Sequence, residues 1–192
     1  MRTKERSFAG RWVKRVELAT GLLMALTTMA WAASPPTITP GIPGEGAIHP
    51  FPDAAYQPQK DATYRIVFSL TKAGDSPQDV SPSLVRVART INLYVSAGVP
   101  ISHLKFVAVA YGPATGTMLD DQHYKDKYGV ANPNSTLIHK LRAAGVDVAV
   151  CGQAVAESNF ELSWISHDVT LALSALTTIT ALQQQGYALM PL

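Results

Sequence analysis

VDVAVCGQAVAE, residues Val146 to Glu157, is a strand that runs straight into a helix, and it holds the chain's single cysteine. Val146, Val148 and Val150 are β-branched residues in a short apolar run, the pattern of a buried strand. The run stops at Gly152, and Gln153-Ala-Val-Ala-Glu157 begins a helix. Cys151 therefore stands where a strand hands over to a helix, a place where α/β folds gather ligands and where backbone N–H groups favour an anion. A thiol in that position ionises more readily than a free one, because the thiolate is what those N–H groups stabilise. The competing description is a small buried hydrophobe.

Upstream, Thr63 to Leu70 is strand-like, with Ile66, Val67 and Phe68 as a continuous buried run, and Gly74, Asp75 and Pro77 mark a loop. Pro82 to Ala97 places Leu84, Val87, Ala88, Ile91 and Val95 at helical spacing, closed by Gly98. Leu104 to Ala110 is a second strand. Just past it lie Tyr111, Gly112, Pro113 and Gly116, then a polar patch of Asp120, Asp121, His123, Tyr124, Lys125 and Asp126. A capped helix start at Asn132-Pro-Asn-Ser135 leads through Leu137, Ile138 and Leu141 to Gly145. Beyond the cysteine, Trp164 to Gln185 is expected as one long helix, apolar on nearly every face, and Tyr187 to Leu192 as a last strand. Strands and helices alternate and the strands look buried, which predicts a three-layer α/β/α sandwich with a mainly parallel sheet. Cys151, the Gly112 to Asp126 loop and Ser69 to Asp75 are then expected to converge at the carboxyl ends of the strands.

The flanking segments are of another kind. Six basic side chains precede an apolar run from Val16 to Trp31, and Ala30-Trp-Ala32 offers a cleavage site, so residues 1–32 are expected to be a secretory signal peptide. That leader carries six of the sixteen basic and two of the fourteen acidic side chains, which leaves ten basic against twelve acidic, a net charge of about −2. A mildly acidic remainder has no basic patch for nucleic acid, and after cleavage no membrane partner is expected. The expected location is the periplasm or the exterior. Residues 33–60 hold seven prolines and no apolar periodicity and are expected to form an arm or linker, able to dock through Ile42, Ile48, Phe51 and Tyr56. Residues 61–192 are expected to form one α/β domain.

Spacing rules out several chemistries. A phosphatase loop needs arginine six positions after its cysteine, and Glu157 stands there. No C-x-x-C exists, and one cysteine makes no intramolecular disulfide. The five histidines show no metal-ligand spacing, no glycine-rich phosphate loop is present, and no metal or cofactor is expected. A lone thiol that bears a persulfide, forms a mixed disulfide or is oxidised remains.

VDVAVCGQAVAE, the preceding LRAAGV and the tail ALTTITALQQQGYALMPL resemble the DsrE/DsrF-like family of sulfur-relay and related proteins, over roughly Thr63 to Leu192. The resemblance implies a flavodoxin-like or Rossmann-like sandwich that assembles as homo-trimers or hexamers. It implies that Cys151 accepts and passes on sulfane sulfur as a persulfide, with a sulfur donor or acceptor protein or a small thiol as partner. Gly152, Gln153 and Glu157 are the supporting candidates, the first two through backbone N–H groups. The alternative is an oligomeric binding or structural protein of the same fold without chemistry. An export signal departs from the sulfur-relay members, which work in the cytoplasm.

Overall fold

Five parallel strands form the sheet of the computed structural model, which describes residues 36–192. The leader expected over residues 1–32 lies outside the described residues. In chain order the elements are β1 (Tyr64–Leu70), α1 (Pro82–Ser96), β2 (Leu104–Ala110), α2 (Asp121–Tyr128), α3 (Ser135–Ala143), β3 (Asp147–Cys151), α4 (Gly152–Glu157), β4 (Thr170–Ala172), α5 (Ala175–Gln184) and β5 (Ala188–Pro191). A 3-10 stretch, Gly112–Met118, follows β2. The sheet runs β4-β3-β2-β1-β5. Strands β1 to β4 add in one direction, and β5 then returns beside β1, so the two faces of the sheet receive different helices. This is a three-layer α/β/α sandwich, the architecture expected from the alternating pattern.

The two faces are unequal. One carries the main core, in which Ile66, Phe68, Leu70, Phe106 and Val148 meet Leu84, Val87 and Ile91 of α1 and Leu137, Ile138 and Leu141 of α3. The other is smaller: Val67, Val109, Ala149 and Cys151 pack against Ala154 and Ala175, with Tyr111, Ile179 and Leu182 at its margin. Only Ala175 of α5 is buried. Alternation along each strand assigns the faces, so Ser69, Tyr111 and Cys151 share the side of the smaller core.

Two stretches differ from the sequence expectation. Trp164 to Gln185 is not one helix: Leu162–Trp164 is a 3-10 turn, β4 pairs in parallel with β3, and α5 begins only at Ala175. Val169, Leu171 and Leu173 alternate with Thr170 and Ala172, a period of two that the abundant Ala, Ser and Thr made look helical. Ser174 accepts the Leu176 N–H at 3.2 Å and so starts the helix there. The polar patch after β2 is itself helical; its cap, Asp120, accepts the His123 N–H at 2.8 Å.

Residues 36–60 lie on α1. Ile38 and Ile48 form an antiparallel bridge, Ile42 and Ile48 are buried, and Lys140 reaches Glu45 at 3.0 Å and the Pro43 carbonyl at 3.1 Å. Asn92, fully buried within α1, accepts from the N–H groups of Gly41 and Ile42 and donates to the carbonyls of Glu45 and Gly46, all within 2.8–2.9 Å. No helix among the described residues is long and apolar enough to cross a membrane.

Candidate functional site

Cys151 is the last residue of β3 and the residue before the first turn of α4. It is 5 % exposed. In register, Cys151 sits beside Ala172 of β4, and two residues later the chain reaches Ser174 and enters α5. The sulfur thus lies between the starts of two helices, α4 from its own strand and α5 from the neighbouring one. Its Sγ is 4.0 Å from Ser174 Oγ.

That arrangement sets the ionisation of the thiol. Burial pushes it up, but the N–H groups of Ala175 and Ala154, the Ser174 hydroxyl and the Gln153 N–H pull it further down, so it is held below its ordinary range. As a thiol, Cys151 donates to Ser174 Oγ; as a thiolate, it accepts the Ser174 O–H. A lowered thiol favours the thiolate, while the 5 % exposure of Cys151 is that of a packed side chain.

The expected supporting residues separate. The Gln153 N–H favours the thiolate least of the groups around it, and the Gln153 side-chain amide donates to the Leu173 carbonyl at 3.3 Å, tying α4 to the end of β4. Gly152 lies against that same end; a Cβ on it would come within 3.0 Å of the Ala172 carbonyl oxygen. Glu157 is exposed at the far end of α4, six residues from Cys151, or about 9 Å of rise at 1.5 Å per residue. Ser174 and Ala175 are the residues that sequence reasoning missed. Their signal was a serine ahead of Ala-Leu at the head of a helical run. Ser69 and Tyr111, whose hydroxyls meet at 2.7 Å, lie on the sheet face that carries Cys151, Ser69 two strands away from it.

A groove of about 390 Å³ opens at the start of α4, lined by Gly152, Gln153, Phe160, Leu162, Leu171 and Leu173. Leu173 is 72 % exposed and Leu176, on α5, 82 % exposed. We expect Gly152→Ala to push the end of β4 outward and cost about 1–3 kcal/mol, the usual penalty for overpacking. Urea unfolding measures that cost; an unchanged midpoint would show that β4 yields freely.

The polar residues after β2 form a separate cleft with α3. His139 Nδ1 lies 3.1 Å from Asp168 Oδ2, and His123 Nδ1 2.9 Å from Asp120. Burial pushes the Asp120 carboxyl up, but the His123 N–H and ring and the Gln122 N–H bring it below its ordinary range. Among the described residues no group of three His, Cys, Asp or Glu side chains is placed to hold a metal ion.

Against known proteins, the model of the DsrE/DsrF-like family matches residues 64–192. A solved protein of unknown function from Methanobacterium thermoautotrophicum is similar in structure, with a TM-score of 0.52 and 19 % sequence identity, covering 67 % of this chain and 99 % of that one. At that identity the likeness concerns the fold alone. No curated protein matches the chain.

Proposed function

The chain belongs to the DsrE/DsrF-like family, and from that premise we propose that it handles sulfane sulfur through Cys151. The observation that carries this is the place of Cys151 at the end of β3, where α4 begins and where the start of α5 brings the Ser174 hydroxyl to 4.0 Å from the sulfur. The step is a sulfur transfer. The Cys151 thiolate attacks the outer sulfur of a donor persulfide R–S–SH, a new S–S bond forms, the donor's S–S bond breaks, and RS⁻ leaves. Cys151 then carries –S–SH and passes its outer sulfur to an acceptor thiolate by the same exchange, with no net oxidation. Gly152 and Gln153 border the sulfur and shape its approach. The leader-like residues 1–32 support an exported, periplasmic setting, and the exposed Leu173 and Leu176 support self-association as trimers or hexamers, with a donor or acceptor protein or small thiol as partner.

Mass spectrometry of the protein after exposure to a polysulfide tests the proposal. Wild type is expected to gain whole sulfur atoms on Cys151 and Cys151→Ser none; equal loading of both proteins would end the sulfur-carrier reading. The burial of Cys151 together with exposed leucines favours a second reading, an oligomeric binding protein in which the cysteine only packs. A wild-type thiol that reacts only after denaturation would select it.

A further inference from the structure

We propose that the arm and the carboxyl half of α1 form a binding site for an uncharged aromatic small molecule. A cavity of about 410 Å³ lies between them, within the size range of small-molecule sites. Four aromatic rings line it: Phe51 and Tyr56 from the arm, Tyr64 from β1 and Tyr94 from α1. The family match begins only at residue 64, so six of the ten lining residues come from a segment outside it.

The wall is built, not a loose flap. Tyr64 Oη accepts the Gln59 N–H at 2.7 Å and donates to the Gln59 carbonyl at 3.2 Å. The Gln57 amide donates to the carbonyls of Phe51 and Ala54, closing the loop that carries both arm rings. Within that loop Tyr56 has φ of 59°, a left-handed conformation that is costly for a bulky side chain, and its ring is fully exposed. Phe51 is 63 % exposed. Below them the rings of Tyr64 and Tyr94 stand 4.5 Å apart, tilted by 48°. Two exposed rings thus border the cavity together with two half-buried ones.

The chemistry of the lining selects the ligand. Among the described residues lining the cavity there is no Lys, Arg, Asp or Glu, and His49 is the one imidazole, so a permanently charged ligand would lose hydration without a fixed counter-charge. Lys60 lines an adjoining depression and disfavours a cation there. A flat neutral ring offers each of the four aromatics an edge or a face to pack against.

Titration with the neutral fluorescent probe phenylnaphthylamine tests the assignment. Wild type is expected to bind it saturably, and Phe51→Ala to weaken binding about tenfold, the usual effect of losing one aromatic contact with its buried area. Tyr56→Gly separates binding from folding. Glycine adopts the left-handed backbone without strain, so this variant is expected to unfold at the same or a higher temperature while binding about tenfold more weakly. Absence of saturable binding, unchanged affinity in both variants, or displacement of the probe by choline, which would mark a cation site, overturns the proposal. Loss of binding in Leu173→Ser instead would place the probe in the groove at the start of α4 and overturn it equally. Polysulfide loading of Cys151 is expected to be unaffected by Phe51→Ala, so the two functions fail independently.

Discussion

Asn92→Leu is expected to lower the free energy of unfolding by about 3–6 kcal/mol, a large share of the roughly 5–15 kcal/mol that holds a typical domain together. Leucine keeps the branched shape of asparagine but neither accepts nor donates, and its methyls need more room than the 2.8–2.9 Å that the amide leaves to the arm. What is lost are the partners of four backbone groups of the arm. Ile42 and Gly46 are buried, and their unpaired N–H and carbonyl cost about 1–3 kcal/mol each; Gly41 and Glu45 are half-buried and recover water in part. The arm is therefore expected to leave α1. Urea unfolding with limited proteolysis of residues 36–60 measures both effects, and a wild-type midpoint with a protected arm would show that the apolar contacts of Ile42 and Ile48 suffice alone. Gly46→Ala approaches the same result from the other side. Its φ is 56°, and a Cβ there would overlap the backbone of Ala88 and Arg89.

Alkylation of Cys151 is expected to rise with pH along a curve centred below that of a free thiol, and Ser174→Ala is expected to move that curve up. The serine hydroxyl bonds the thiolate and caps α5, so its removal takes a donor from the charged form and loosens the Ala175 N–H. At neutral pH the variant should react several-fold more slowly, roughly in proportion to its smaller thiolate fraction. Coincident curves for the two proteins would mean that the backbone N–H groups act alone. Stability follows in sign. The folded thiol titrates below the unfolded one, so its contribution is fully present above the unfolded pKa and is lost as pH falls through the folded value. Wild type should accordingly lead Cys151→Ser by more in alkaline than in acid solution.

These two predictions draw on residues of very different legibility. Ile66 to Phe68 and Phe106 to Ala110 declare a buried strand, because a strand covered on both faces has no polar positions to confuse the pattern. Cys151 was legible for the same reason, as the end of such a run. Ser174 was not: β4 is an edge strand of three residues, and its outward Leu171 and Leu173 carry no burial pattern that periodicity can use. Asn92 was hidden differently. It sits on the buried face of α1 between Ile91 and Val95, and its value depends on an arm some fifty residues away, which no local pattern encodes.

The position of β5 has a consequence for how the chain reaches this state. Strands β1, β2 and β3 are each joined by a nearby crossover, but β5 must come back past all of them to pair with β1, and Thr71 bonds Leu192 across 121 positions. Closure over so long a loop is slow, because its entropy is lost before the pairing rewards it. Until residues 188–191 dock, the edge of β1 stands bare, with Val67 and Phe68 beside it. A second unfinished chain offers the same bare edge. The last strand to form is thus the one whose delay sets the window for edge-to-edge misassembly, and high protein concentration during refolding should lower the yield through that intermediate.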